Sequence, residues 1–149
     1  MIKKNIVILS LIIFLANCGF TPIYLQNKNV NFSIEQINYT GDRELNNFLK
    51  TNLNQYKNKD VDNKISIEAI SEYNKIVLSK DGTGAVTNYE LVAEVIFLIK
   101  PSNKEIKISE KKIMESLADK FEETEYEKSI KQSFASSITY KLISELIIN

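Results

Sequence analysis

The chain has 149 residues, 44% of them hydrophobic and 26% charged, which are the proportions of one globular domain. Nineteen basic residues balance nineteen acidic ones, so the chain lacks the broad positive field that holds nucleic acid. It has no histidine and one cysteine, which excludes Ser–His–Asp and Cys–His catalysis, an internal disulfide bond and a cysteine zinc site. We therefore expect no enzyme, no metal and no cofactor.

The N-terminal segment predicts export. Lys3 and Lys4 precede the run 6–15, in which Ser10 is the only polar residue, and small residues follow. A positive start, a short apolar core and a small-residue end are typical of a secretory signal. The apolar run is too short to cross a bilayer as a helix, which takes about 20 residues. We therefore predict a signal peptide over residues 1–17.

The single cysteine lies directly after this segment. The sequence Leu-Ala-Asn-Cys at 15–18 resembles the lipobox of bacterial lipoproteins, with Asn17 where Gly, Ala or Ser is usual. The resemblance implies that Cys18 carries lipid, and each buried acyl CH₂ would contribute about 0.8 kcal/mol to the anchor. Gly19 follows, not the aspartate that retains many lipoproteins at the inner membrane, which implies the periplasmic side of the outer membrane.

The beginning of the mature chain predicts a tether followed by a first strand. Residues 18–29 include Pro22 and several polar residues, which predicts an extended tether, and residues 30–149 are predicted to form a single domain. Apolar and polar residues alternate over 30–34, which is typical of a strand, and the phase changes near Glu35, which indicates a β-bulge.

A helix is predicted next. Gly41 interrupts the strand, and Asp42 is a suitable N-cap for an amphipathic helix that reaches about Lys57. The apolar positions at helical spacing are Leu45, Phe48, Leu49, Leu53 and Tyr56.

Two long extended runs follow the helix. The runs 65–79 and 85–99 flank the turn Asp-Gly-Thr-Gly at 81–84, which predicts a long antiparallel hairpin. Residues 95–99 are uninterrupted apolar residues, so we expect them to be covered on both faces of the sheet.

The C-terminal part predicts a last strand and a long helix. A turn at 101–103 leads to a strand over about 106–114, and a helix is predicted from about Glu123 to Ile148. The helix carries an apolar residue at every fourth position, namely Tyr126, Ile130, Phe134, Ile138, Leu142 and Leu146. The order β-α-β-β-β-α predicts an α+β fold: a mostly antiparallel four-stranded sheet with two helices packed on one face.

Two stretches resemble a known family. Cys-Gly-Phe-Thr-Pro-Ile-Tyr at 18–24 resembles the Cys-Gly-Phe-x-Pro-Leu-Tyr opening of the lipopolysaccharide-assembly lipoproteins (the LptE family, alphaproteobacterial type). Asn-Tyr-Glu-Leu at 88–91 is similar to the family's Arg-Tyr-x-Leu stretch, with Asn88 in place of the basic residue. The resemblance covers nearly all of the mature chain. It implies a non-enzymatic plug inside the outer-membrane β-barrel that inserts lipopolysaccharide, where the protein assists assembly of the barrel and contacts lipopolysaccharide.

The resemblance also implies which residues contact lipopolysaccharide. In the family a basic residue near the hairpin tip and another on the last strand have this role, and the corresponding residues here are Lys80 and Lys111. Neighbouring Lys75 and Lys112 add charge, and ammonium groups suit phosphates as point charges. Lysine is abundant in this chain, so ordinary solvent-exposed side chains are the alternative interpretation.

Two further groups have more than one interpretation. Tyr73, Tyr89 and Tyr126 are either anchors at an interface with a barrel wall or ordinary residues of the core and sheet. The acidic residues of 122–127 are either a pair of catalytic carboxylates or the negative charge that favours a helix start.

Two other functional classes remain open. A periplasm-facing lipoprotein that binds a lipid or small solute would need an apolar pocket of a few hundred Å³ between sheet and helices. A cell-wall hydrolase would need convergent carboxylates, and no spacing in the sequence indicates them.

Overall fold

The computed structural model describes residues 30–57 and 60–148. The predicted signal peptide, Cys18, the tether and the motif at 18–24 lie outside the described residues. The elements are β1 (Ser33–Gly41), α1 (Arg43–Leu53), one turn of 3₁₀ helix (Asn54–Tyr56), β2 (Lys64–Lys80), β3 (Val86–Lys100), β4 (Lys104–Glu115) and α2 (Lys120–Ile148). The predicted α+β class and the predicted order are confirmed.

The four strands form one sheet in the order β1-β2-β3-β4. β1 is parallel to β2, and the other two pairs are antiparallel, so the sheet is mostly antiparallel as predicted. A parallel pair needs a crossover connection, and α1 supplies it. The predicted bulge is present, because the register shifts between Ile34 and Gln36.

The exit of β1 from the sheet is defined by two residues. Gly41 has a φ of +95°, and a methyl group at its Cα would overlap the carbonyl oxygen of Ser71 on β2. The next residue, Asp42, donates its N–H to that same oxygen at 3.1 Å. Its carboxylate accepts a hydrogen bond from the N–H of Leu45 at 2.7 Å, which caps α1. The chain therefore leaves the sheet and enters the helix without a loop.

The core lies between one face of the sheet and the two helices. α1 contributes three fully buried leucines. α2 buries the apolar side chains that occur at every fourth residue from Ile130 to Leu142. The largest fully buried side chains include Leu45, Leu49, Leu53, Ile67, Val95, Phe97, Ile130, Ile138 and Leu142. One apolar face of each element is therefore used in a single core.

The expectation that 95–99 is covered on both faces is wrong. Val95, Phe97 and Ile99 are buried under the helices, whereas Ile96 and Leu98 point to the other face and are partly exposed. No described element covers that second face. Every residue of an uninterrupted apolar run is equally suited to burial. The sequence of such a run therefore does not predict that only alternate residues are buried.

The start of α2 also differs from the sequence-based expectation. The helix begins at Lys120 rather than at about Glu123. The carboxylate of Asp119 accepts hydrogen bonds from the N–H groups of Phe121 (2.8 Å) and Glu122 (3.2 Å), so Asp119 acts as the cap.

Replacing Gly41 with alanine should lower the free energy of unfolding by about 3 kcal/mol, because the new methyl group meets the Ser71 carbonyl in a strained conformation. Gly84→Ala is the matched control, since Gly84 also has a positive φ (+88°) but has open space around its Cα. The control should cost about 1 kcal/mol. Urea unfolding followed by circular dichroism measures both, and equal losses would contradict the proposed overlap.

Candidate interaction surface

The sheet face opposite the helices, here called the open face, is a mixed apolar and charged surface. It consists of the even-numbered residues of β2 up to residue 76, the even-numbered residues of β3 and the odd-numbered residues of β4. Its apolar members are Ile70, Ile76, Val92, Ile96, Leu98 and Ile113. Ile113 is 62% exposed and Ile70 is 47% exposed. Charged residues separate these apolar side chains into two groups, because Glu72 pairs with Glu94 between them. Exposed aliphatic groups on one sheet face are typical of interaction sites.

Charges on the open face are only partly paired. Lys107 binds Glu94 at 2.7 Å, and Lys100 binds Glu68 at 2.8 Å. Glu72 lies directly opposite Glu94 on the neighbouring strand, an arrangement that is destabilising for like charges. The Glu72 carboxylate accepts a hydrogen bond from Asn74 Nδ2 at 2.8 Å, but it forms no ion pair with any described residue. The open face therefore retains unbalanced negative charge.

One edge of β2 has a partner for only half of its length. β1 pairs with residues 64–71 of β2, and among the described residues no strand pairs with that side of residues 72–80. We call this segment, Glu72–Lys80, the free β2 edge. It carries three consecutive aliphatic side chains, Ile76, Val77 and Leu78, each 46–48% exposed. Such an edge is a template for pairing with another chain.

The two lysines predicted to contact lipopolysaccharide are not brought together. Lys80 pairs with Val86 and Lys111 pairs with Val92, and these partners are six residues apart along β3, or about 20 Å. Both lysines are exposed, and neither forms an ion pair with a described residue. One phosphate group cannot bind both side chains at this separation, and their role remains a prediction.

Two of the three tyrosines lie between the sheet and α2. Tyr73 donates its hydroxyl to Glu127 Oε1 at 2.9 Å, and the Nζ of Lys75 lies 4.1 Å from the ring centre of Tyr89. These contacts favour the interpretation of Tyr73 and Tyr89 as core and sheet residues. Tyr126 is 41% exposed, and the Nζ of Lys112 lies 5.7 Å from its ring.

A buried carboxylate holds the start of α2 against the hairpin. Glu123 Oε2 accepts hydrogen bonds from Ser116 Oγ (2.9 Å), Leu117 N–H (2.9 Å) and Lys120 Nζ (3.0 Å). Its Oε1 accepts from Lys75 Nζ at 3.2 Å, and Lys75 also binds Glu127 at 2.8 Å. In the first ten residues of α2, Glu123 is the only buried side chain. Ion pairs rather than apolar packing therefore position this end of the helix.

The ionisation of this cluster follows from its contacts. Burial opposes the charge on Glu123, but hydrogen bonds from Lys120, Ser116, Leu117 and Lys75 outweigh it and lower the pKa to about 2. Burial also opposes the charge on Lys75, and hydrogen bonds to Glu127 and Glu123 reverse the effect, so the pKa of Lys75 is raised. Sequence reasoning could not find this cluster, because Lys75 and Glu123 are 48 residues apart.

Replacing Glu123 with glutamine should lower the free energy of unfolding by about 2 kcal/mol at pH 7, because Lys75 and Lys120 lose a charged acceptor. Folding lowers the pKa of Glu123 from its ordinary value of 4.5 to about 2. Its contribution to stability is therefore complete above pH 4.5 and is lost as the pH falls toward 2. Urea unfolding over this pH range should show a weaker acid dependence in the variant than in the wild type.

Glu122→Gln is the control for this prediction, since Glu122 is exposed in the same helical turn. Its effect should stay within about 0.5 kcal/mol, and it should keep the acid dependence of the wild type. An unchanged acid dependence in Glu123→Gln would contradict the assignment of the effect to Glu123.

A shallow depression of about 540 Å³ lies beside the hairpin tip, lined by Ala85, Val86, Tyr89, Ser116, Leu117, Ala118 and Lys120. The space between the sheet and the helices, where a solute carrier would need its pocket, is occupied by the buried side chains of the core. In residues 30–57 and 60–148, no three acidic side chains meet closely enough to hold a metal ion. None of the described helices is long and apolar enough to cross a membrane.

Solved structures of bacterial lipoproteins share this architecture. The chain is similar to rare lipoprotein B from Shewanella oneidensis, with a TM-score of 0.52 and 21% identity over 74% of this chain and 96% of that one. It is also similar to an uncharacterised lipoprotein B from Nitrosomonas europaea, with a TM-score of 0.55 and 18% identity over 79% of this chain and 86% of that one. The chain has the fold of rare lipoprotein B.

A third structure agrees with these two. A minor lipoprotein from Acinetobacter baumannii has a TM-score of 0.50 and 11% identity, over 74% of this chain and 94% of that one. No protein-family model matches the chain, and comparison with curated proteins gave no match. At these identities the similarity establishes the fold, and the functional conclusion depends on the surface.

Proposed function

We propose that this chain is an outer-membrane lipoprotein that plugs the β-barrel inserting lipopolysaccharide and assists its assembly. One observation carries the proposal: among the described residues, nothing covers one whole sheet face or half of one strand edge, whereas the other sheet face packs against both helices. The lipoprotein fold and the resemblance of the motif at 18–24 to lipopolysaccharide-assembly lipoproteins support the same function.

The shape suits a plug. Large barrels otherwise enclose water, and a small rigid sheet backed by helices can fill such a lumen. Barrel interiors are polar, so a surface that mixes aliphatic and charged side chains matches them better than a purely apolar face. The role is a binding role, and no group of side chains is assigned a catalytic step.

The proposal is tested by affinity purification of the lipidated protein from detergent-solubilised outer membranes, followed by mass spectrometry. A large β-barrel protein should be recovered in stoichiometric amount. Cys18→Ser is the control, since this variant lacks the predicted lipid anchor and should not remain in the membrane fraction. Recovery of the protein alone, or from the inner membrane, would contradict the proposal.

Lipopolysaccharide contact is tested separately. Lys80→Glu and Lys111→Glu should each reduce the lipopolysaccharide that is retained on the purified protein by about fivefold, since one lysine near a phosphate surface contributes about 1 kcal/mol. Because the two residues are about 20 Å apart along β3, their effects should multiply in the double variant. The control is Lys128→Glu, an exposed lysine on α2, which should retain the wild-type amount. Equal losses in all three variants would indicate a nonspecific charge effect.

One observation favours the alternative, a periplasm-facing lipoprotein that binds a lipid or small solute. The depression beside the hairpin tip has a volume of about 540 Å³, which is within the range of ligand sites. It is open to solvent rather than enclosed between sheet and helices. A protein recovered without a barrel but with a bound lipid would favour this alternative.

A further inference from the structure

The geometry points to a specific docking mode: the free β2 edge (Glu72–Lys80) binds an extended segment of the barrel protein as an added strand. This segment carries lysine or arginine opposite Glu72 and an aliphatic residue four positions away, opposite Ile76. The identity of the partner rests on the proposed function, whereas the site and its chemistry rest on the contacts described below.

The backbone of this edge is oriented for pairing. The carbonyl oxygen of Ser71 points toward β1, because it accepts a hydrogen bond from Asp42 N–H. Backbone groups of alternate residues in a strand point to the same side, so those of Tyr73, Lys75 and Val77 also point outward. β1 has ended at this level, which leaves three N–H donors and three carbonyl acceptors without a described strand beside them. An added strand satisfies these groups.

Charge specifies one position of the added strand. Glu72 faces Glu94 across the β2–β3 pair, and the cation that binds Glu94 is Lys107, on β4. Among the described residues, no cation forms an ion pair with Glu72. A basic side chain on the added strand would lie directly beside it and would offset the repulsion between the two glutamates.

Apolar surface specifies the other position. Ile76 is on the same face as Glu72, is 48% exposed, and has a glutamate, Glu90, as its neighbour on β3. Val77 and Leu78 are also exposed, and Val77 points to the opposite face of the sheet from Ile76. An aliphatic residue opposite Ile76 would cover the Ile76 side chain, so the complementary pattern is a basic residue and an aliphatic residue at i and i+4 or i−4.

The outer edge of β4 is protected by charge. It carries four lysines, Lys104, Lys107, Lys111 and Lys112, and charged residues of this kind discourage pairing at sheet edges. Between residues 73 and 79, the free β2 edge has one lysine, Lys75. The Lys75 side chain forms ion pairs with Glu123 and Glu127 of α2, so it does not discourage another strand from pairing with this edge.

The partner segment cannot be a strand of the barrel wall. A closed barrel has no free strand edges, since each wall strand is paired on both sides. The segment is therefore a loop or a chain end of the barrel protein.

The test uses a photo-crosslinking amino acid at Ile76 in the full lipidated chain, in cells that express the barrel protein. Tyr140 is the control: it is 60% exposed but lies on α2, away from the open face and the free β2 edge. The Ile76 position should give at least fivefold more cross-linked barrel protein than the Tyr140 position. Equal yields, no product, or a product containing only a second copy of this chain would overturn the inference.

Two further substitutions separate strand pairing from side-chain contact. Val77→Pro removes a backbone N–H that points outward and makes no hydrogen bond to β3, so the fold should tolerate the substitution. The yield of the cross-link from position 76 should fall at least fivefold, because the added strand loses that hydrogen bond. Val77→Thr keeps the N–H and should keep the cross-link. Unchanged cross-linking in a folded Val77→Pro variant would overturn the inference.

The substitution Glu72→Lys gives a test in which the fold does not have to accept a proline. It removes the repulsion with Glu94, so it should raise the unfolding midpoint of the free protein. It also places a positive charge opposite the basic residue of the added strand, so it should reduce the cross-link yield severalfold. A loss of structure would change both quantities in the same direction. If the barrel protein co-purifies but position 76 does not cross-link to it, this inference fails and the proposed function stands. If no barrel protein co-purifies, both fail.

Discussion

The contact between Gly41 and Ser71 is the constraint on which the rest of the molecule depends. Gly41 passes so close to the Ser71 carbonyl that only hydrogen fits on its Cα, and Asp42 then bonds to the same oxygen and caps α1. β1 therefore ends at Gly41, opposite Ser71, and β2 continues for nine more residues without a neighbour from β1. The same turn directs α1 onto one face of the sheet. The close contact between Gly41 and Ser71 therefore determines both the placement of α1 and the position at which the free β2 edge begins.

The two ends of α2 are held by different forces. From Ile130 onward the helix is buried through apolar side chains, whereas its first ten residues bury only Glu123. The carboxylate is stable there because four donors surround it, as its lowered pKa reflects. Lys75 forms ion pairs with Glu123 and Glu127 in this arrangement. It is the only lysine between residues 73 and 79, so no lysine there is left to discourage pairing at the free β2 edge. Helix docking and the exposure of the edge are therefore coupled.

Much of the fold could be predicted from local patterns. The cap at Asp42, the bulge beyond Ile34, the turn at 81–84 and the fourfold spacing in α2 each depend on neighbours in sequence, and the structure contains all of them. The burial of 95–99 was predicted wrongly, because a continuous apolar run looks the same whether one face or both are covered.

The interaction surface was less accessible to sequence reasoning because it arises from contacts between distant elements. The pairing of Lys75 with Glu123 needs the strand and the helix to be placed first. The separation of Lys80 from Lys111 likewise follows from strand register and not from their residue types. The end of β1 pairing at Ser71 depends on the same tertiary register. Predicting the hairpin was therefore possible, whereas predicting which of its edges stays free was not.

The central claim is that the open face and the free β2 edge are the partner-facing side of the molecule. Hydroxyl-radical footprinting read by mass spectrometry tests it most directly, on the lipoprotein alone and on the complex extracted from outer membranes. Oxidation of Ile70, Ile76 and Ile113 should fall at least threefold in the complex. Tyr140, which is 60% exposed on α2, should change less. Protection of Tyr140 with unchanged oxidation of the three isoleucines would contradict the account.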